Sequence, residues 1–326
     1  MPMNMILAGD VGGTKTLLEV GFLQEGRWQP VFCGRYAAIN YPNLSYLIEA
    51  FLQEWAVQRR PQDKITRACF GVAGPSFANR VQMTHLGWTV DGDAIGTEFD
   101  IPNVLIVNDF AAAARGVELL QDTDLVVLQS GEPVSAAPRL VIGAGTGLGI
   151  AYLIWTGDHY QVIAGEAGHA GFSPTTLEQV ELWRDLYQQP GRVSTEDVVS
   201  GPGLLRIHEF IVRTTGRAIP VTGFTPAAII QAALESADPI CLQALDIFIA
   251  CYGVVAGDCA LAVLARGGVY VTGGIAPRIL SRLRDGGFLA TFNAKGVHSK
   301  VMKKIPVSIV TDERLGVLGC ALIAAR

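Results

Sequence analysis

Apolar and polar positions along the chain fall into two similar cycles. Met5-Ile6-Leu7-Ala8-Gly9-Asp10 is a short apolar run that ends in an acid and then glycines, the pattern of a buried strand entering a tight turn. Thr16 to Leu23 and Trp28 to Tyr36 predict two more strands, with Gln24-Glu25-Gly26-Arg27 as their hairpin turn. Leu44, Leu47, Ile48, Phe51, Leu52 and Trp55 recur at helical spacing behind Asn43 and Ser45, two candidate caps. Ile65 to Val72 predicts a strand that stops at Gly74-Pro75, and Val104 to Val107 another that stops at Asn108-Asp109, where alanines begin a helix. The second cycle opens at Leu140-Val141-Ile142 and again runs strand, glycine turn, then two strands, Gly149 to Trp155 and Tyr160 to Ala164. Thr14 and Thr146 fall at matching places 132 residues apart, which suggests a duplicated unit. Residues 177–265 are mostly helical in pattern. Gly267 to Gly274 returns to strand and glycine turn, Ile305 to Val310 is a last strand, and Gly316 to Ala325 a closing helix.

A chain of 326 residues suits two lobes better than one core, and with 50% hydrophobic residues it has the material to fill both. The net charge of −5 comes without a basic run, the densest being Lys300, Lys303 and Lys304, so a nucleic-acid partner is not expected. Cys33, Cys69, Cys241, Cys251, Cys259 and Cys320 form no CxxC or CxC pair and read as reduced, buried thiols. The N-terminal MPMNMILAGD lacks the basic start of a secretory leader. The longest uncharged apolar stretches, Ile247 to Gly257 and Leu315 to Ala325, have 11 residues each, whereas a membrane span needs about 20. The expectation is a cytoplasmic protein with no membrane partner.

Five segments carry candidate chemistry. In Asp10-Val11-Gly12-Gly13-Thr14-Lys15-Thr16, successive amides can cradle phosphate oxygens and Asp10 can hold magnesium directly or through water. Counted from Gly9, Thr14 falls where a P-loop needs its second glycine, so that motif fails; a plain hairpin turn remains the alternative. Gly143-Ala144-Gly145-Thr146-Gly147-Leu148-Gly149 is a second glycine turn, distinct from a dinucleotide fingerprint because Leu148 takes the sixth position; a glycine-laced strand or bulge is the alternative. Asp109, in Val107-Asn108-Asp109-Phe110, stands at a strand end where phosphoryl transfer places an acceptor for the substrate proton, or else it caps the helix that follows. In Gly165-Glu166-Ala167-Gly168-His169, Glu166 and His169 can address one small polar ligand or be a lone surface pair. Glu196, in Ser194-Thr195-Glu196, reads as the end of a capping box. Val271-Thr272-Gly273-Gly274-Ile275-Ala276-Pro277 can approach a nucleotide or be a generic loop.

Taken in order, DVGGTKT, AGP, NDF, GAGTGLG, GEAGH, STEDVVSGPGL and TGGIAP resemble the bacterial glucokinase family, within the wider actin and sugar-kinase fold. The resemblance implies an α/β, two-lobed actin-like (ribonuclease H-like) duplicated fold with an interlobe cleft, with residues 1–118 plus 311–326 as the small lobe and 119–310 as the large one. It implies ATP-dependent phosphorylation of glucose at the 6-hydroxyl, as in glycolysis, with ATP and Mg2+ required, in a homodimer. By position, Asp10, Gly12, Gly13, Thr14 and Lys15 match the first phosphate motif, Gly145, Thr146 and Gly147 the second, and Gly273 and Gly274 the adenosine motif. Asn108 and Asp109 match the pair that binds the sugar and deprotonates its 6-hydroxyl, with Asp109 the base. Gly74 and Pro75 of the AGP motif join them on the sugar side. Glu166, His169 and Glu196 match residues that bind the other sugar hydroxyls.

Two departures stand out: Thr84-His85-Leu86-Gly87-Trp88 where the family usually has T-N-x-x-W, and Ala167 where glycine is also common. The cysteine-rich zinc motif of the related repressor-and-kinase group is missing, and Asp10 lies too near the N-terminus to leave room for the repressors' helix-turn-helix. A kinase for another hexose or an N-acetylhexosamine, and a sugar sensor without catalysis, are the alternative readings.

Overall fold

The computed structural model describes residues 4–60, 62–83, 86–188, 191–216 and 224–326. The chain divides into two compact units, residues 1–122 with 312–326, and residues 123–311.

The first unit opens with β1 (Asn4–Val11), β2 (Lys15–Gln24) and β3 (Arg27–Ala37), followed by α1 (Leu44–Ala56) and β4 (Lys64–Val72). A small sheet of β5 (Ser76–Phe77), β6 (Arg80–Gln82) and β7 (Thr89–Asp91) precedes α2 (Gly92–Glu98), β8 (Asn103–Asn108) and α3 (Asp109–Gly116). The main sheet has the order β3-β2-β1-β4-β8, antiparallel across β1–β2–β3 and parallel across β1, β4 and β8. Glu25 and Gly26, at φ 50° and 73°, make the β2–β3 turn, and glycine takes that left-handed backbone without a Cβ penalty. Asn43 caps α1 by accepting the Tyr46 amide at 3.2 Å. Ser45, the other candidate cap, instead donates to Glu98.

The second unit holds β9 (Leu125–Gln129), β10 (Arg139–Ala144), β11 (Leu148–Trp155) and β12 (Tyr160–Gly165). It continues with α4 (Leu177–Tyr187), α5 (Gly201–Thr215), α6 (Pro226–Glu235), α7 (Pro239–Val263) and β13 (Gly268–Thr272). Three short helices follow, α8 (Leu280–Arg284), α9 (Gly287–Asn293) and α10 (Ser299–Met302), before β14 (Val307–Val310). Its sheet order is β12-β11-β10-β13-β14-β9. The first five strands repeat the arrangement of the other unit: an antiparallel trio, β10–β11–β12, continued in parallel by β13 and β14. The duplication suggested by the glycine turns is therefore a duplication of whole sheets, with β9 an addition to the second.

The chain ends in α11 (Leu315–Ala324), which returns to the first unit. It packs on α3 at van der Waals range of backbone, because a Cβ on Gly319 would collide with the Ala112 carbonyl and one on Gly116 with the Leu315 carbonyl. Only glycines allow helices this close.

α7 is long and apolar enough to cross a membrane by length and composition, although no uncharged stretch in it exceeds 11 residues. Most of it, 78% of its apolar window, is buried inside the second unit among residues such as Phe288 and Phe292 of α9. That is how a core helix satisfies an all-round apolar surface. All six cysteines are free thiols. Cys69, Cys241, Cys251 and Cys320 are buried as expected, but Cys33 is exposed, because it lies on the edge strand β3.

Candidate active site

Three parallel strands of the first unit end level with one another: Val11 pairs with Val72, and Val72 with Asn108. The carboxyl ends of parallel strands in an open α/β sheet are where ligands bind, since loops splay there and helix N-termini point at the opening. Asp10, the 12–14 loop, Gly74-Pro75, Asn108 and Asp109 all lie at this edge.

Asn108, and not Asp109, caps α3. Its Oδ1 accepts the Phe110 and Ala111 amides, both at 3.0 Å, and its Nδ2 donates to the Gly74 carbonyl at 3.1 Å. The capping alternative for Asp109 thus goes to its neighbour, which also ties the Gly74-Pro75 turn to the helix. Asp109 is the first helical residue. Its Oδ1 accepts the Phe110 amide at 2.8 Å and the Asn108 amide nitrogen Nδ2 at 3.1 Å, so the carboxylate is fixed at a helix N-terminus. Gly71 on β4 makes room for it: a Cβ there would lie 3.4 Å from the Asp109 Cα and 3.0 Å from the Ala112 Cβ.

Asp10 has a desolvated carboxyl. Burial first, and the nearby Asp109 charge second, push its pKa up to about 7, against a smaller opposing pull from Lys15. It lies against α11, where a Cβ on Gly316 would be 2.7 Å from the Asp10 Cγ. A desolvated carboxyl beside a second carboxylate is a hard-oxygen donor set short of positive charge. It fits a magnesium ion. Lys15 bonds Glu313 at 3.0 Å, and Arg35 shares the same carboxylate. These side chains are exposed, so the pairing is weak and leaves Lys15 able to turn to a phosphate.

The 12–14 segment is a hairpin connection closed by the Gly12 amide on the Lys15 carbonyl at 3.0 Å. In the second unit Gly145-Thr146-Gly147 does the same between β10 and β11, closed by the Gly145 amide on the Gly147 carbonyl at 2.8 Å. The hairpin alternative is therefore correct in form for the first loop, without excluding a phosphate role, and the second, expected as a glycine-laced strand or bulge, is a hairpin connection as well. Paired positions enclose residues 12–15 in one loop and 145–147 in the other, so the first loop is one residue longer, and Thr14 matches Thr146 when counted back from the second strand of each hairpin. Thr14 and Thr146 are both exposed.

Gly273, at φ 87°, presses against the Ala144 backbone, and the Ile275 amide reaches the Ala144 carbonyl at 3.3 Å. The Gly273-Gly274 turn is thereby set beside the second glycine loop. Tyr252 of α7, a residue that sequence pattern leaves among core aromatics, supports the same point. Its hydroxyl accepts the Ala144 amide at 3.2 Å and donates to the Ile142 carbonyl at 3.3 Å. Tyr252→Phe is expected to cost about 1–3 kcal/mol in chemical denaturation, because it orphans a buried amide.

Glu166 and His169 are exposed on a short turn closed by the His169 amide on the Glu166 carbonyl at 3.0 Å. Arg192 donates to the His169 carbonyl at 2.6 Å. Glu196 is not the end of a capping box. Its amide donates to the Gly168 carbonyl at 2.9 Å and its Oε2 accepts the Leu148 amide at 2.8 Å, while Ser200 caps α5. The second unit thus gathers Glu166, His169 and Glu196 with Gly145–Gly147, Gly273 and Gly274. Thr84 and His85, where the family pattern departs, lie outside the described residues.

The sequence model of the Glucokinase family matches residues 7–326. A glucokinase of Nostoc sp. is 37% identical over 99% of this chain and 100% of its own, and one of Synechocystis sp. is 37% identical over 98% of each. Among solved structures, a glucokinase from an Antarctic psychrotroph superposes with a TM-score of 0.88 at 29% identity, over 99% of both chains. A glucokinase of the repressor-and-kinase group from Streptomyces griseus, in complex with glucose and AMPPNP, shares the fold at a TM-score of 0.65 and 19% identity, over 98% of this chain and 99% of its own.

Proposed function

The chain belongs to the glucokinase family and phosphorylates glucose with ATP, and we propose that Asp109 is the base that deprotonates the sugar 6-hydroxyl. The observation that carries this assignment is the Asp109 carboxylate at the first turn of α3, held by the Phe110 amide and Asn108 beside Asp10. Asn108 and the Gly74-Pro75 turn hold the sugar from the same sheet edge; Glu166, His169 and Glu196 supply partners for its other hydroxyls, since each buried hydroxyl needs one. The amides of 12–15 and 145–147 receive the phosphates, and Gly273-Gly274 the adenosine. Asp10 would hold magnesium, which neutralises charge on the transferring phosphates when bound.

In this reading the segments 1–118 with 311–326, and 119–310, are the two lobes of the enzyme. The enzyme works as a homodimer in the cytoplasm and feeds glycolysis. Support comes from the order of the seven motifs, from the sheet edges on which they fall and from full-length relatives.

A coupled assay of ADP release with MgATP and a panel of hexoses tests the reading. Turnover is expected with glucose. Turnover only with an N-acetylhexosamine would keep the phosphoryl chemistry and move the substrate; glucose binding with no turnover of any sugar would leave a sensor.

A further inference from the structure

Residues 194–201 touch two loops with different tasks in the proposed function. Toward the sugar motif, the Thr195 amide donates to the Ala170 carbonyl at 2.8 Å, the Thr195 Oγ1 to the Gly168 carbonyl at 2.6 Å, and the Glu196 amide to the same carbonyl at 2.9 Å. Toward the phosphate loop, Glu196 Oε2 accepts the Leu148 amide at 2.8 Å, and the Gly201 amide donates to the Gly145 carbonyl at 2.7 Å. Both ends of Gly145-Thr146-Gly147 are therefore gripped by one segment. The grip is close: a Cβ on Gly147 would lie 2.6 Å from Glu196 Oε2. Ser200 braces the segment, donating to the Glu196 carbonyl at 2.7 Å and accepting the Gly203 amide at 3.0 Å. Thr195 and Ser200 are 8% and 1% exposed, so their hydroxyls bond protein groups and not solvent, Thr195 outward to Gly168 and Ser200 back onto Glu196.

We propose that residues 194–201 are a strap that couples the two substrates: sugar held at Glu166, His169 and Glu196 fixes the shape of the Gly145–Gly147 loop that receives the donor phosphates. The inference rests on the function proposed above. Glu196 is the pivot, because one carboxylate serves a sugar hydroxyl and the Leu148 amide. Thr195 is a positioning residue that acts through Gly168. Coupling between two ligands is reciprocal and is measured as a ratio of affinities, so it separates from damage to either site alone.

The test is calorimetric titration of the full chain with AMPPNP, with and without saturating glucose. In the unaltered protein glucose is expected to tighten AMPPNP binding by about 5-fold or more. Thr195→Val, which removes the bond to Gly168 at constant size, and Gly147→Ala, which displaces the Glu196 carboxylate, are each expected to bring that ratio to about 1, while Thr195→Ser keeps it. If Thr195→Val does not fold, Gly147→Ala decides alone. A ratio near 1 in the unaltered protein, or variants that weaken both titrations with the ratio unchanged, would overturn the strap and leave the kinase reading standing. Failure of the unaltered protein to bind glucose would instead overturn the proposed function.

Discussion

Asp109→Asn is expected to lower kcat for glucose by about 10²–10⁴ while glucose still binds, because the substitution removes proton acceptance and little else. The amide keeps an Oδ1 where the carboxylate accepts the Phe110 amide and Asn108 Nδ2, so α3 keeps its start. Losing a negative charge at a helix N-terminus costs about 0.3–1 kcal/mol. That loss is offset at Asp10, whose pKa is raised in part by the Asp109 charge; removing the charge makes ionised Asp10 less unfavourable. The variant should therefore melt within a few degrees of the parent. Stopped-turnover assays beside calorimetric glucose titration check the split. Near-full kcat in a folded Asp109→Asn protein would take the base role away from Asp109.

The main elements around this site are legible in the chain because their signals are local. The β2–β3 turn announces itself through Gly26, α1 through Asn43 and a six-residue apolar stripe, and the parallel strands through short apolar runs that stop at Asp10, Gly74 and Asn108. What stays illegible is set by partners distant in sequence. β5, β6 and β7 are two or three residues long, too short for any period to show, and are held by Asn79, which bonds the Val104 carbonyl and the Ile106 amide. Glu19 looks like a solvent-facing strand residue, yet it is buried and accepts the Trp28 indole at 2.6 Å. The two readings of Glu196 could not be separated from its neighbours, because its partner, the Leu148 amide, is 48 residues away. The same holds for Gly316 and Gly319. In the sequence they are ordinary small residues of a closing helix; in the fold one faces the Asp10 carboxyl and the other the α3 backbone. α11 thereby sets the depth of both carboxylates at the sheet edge, and no local pattern could have said so.

Asp10→Asn should abolish most of the activity and stabilise the protein at the same time. The loss, about 10² or more in kcat/KM, follows if Asp10 holds the metal that offsets phosphate charge, since a neutral amide is a poor ligand for a hard dication. The gain follows from the sign of the pKa shift. An aspartate at about 7 in the folded chain and 3.8 as its reference binds more protons folded than unfolded between those values. Stability from this residue is therefore fully present below pH 3.8 and declines as pH rises toward 7, above which it falls no further. Between pH 5 and pH 8.5 the unaltered protein in EDTA should lose about 2–3 kcal/mol relative to Asp10→Asn, at 1.36 kcal/mol per pKa unit over the part of the shift titrated in that window. Urea denaturation at the two pH values checks it. Added MgATP should close the gap at pH 8.5 for the unaltered protein alone, because a ligand that binds only the folded state restores what ionisation removes. Parallel pH curves for the two proteins would mean that Asp10 ionises freely, and the case for a site that charge repulsion keeps ready for a cation would fall with it.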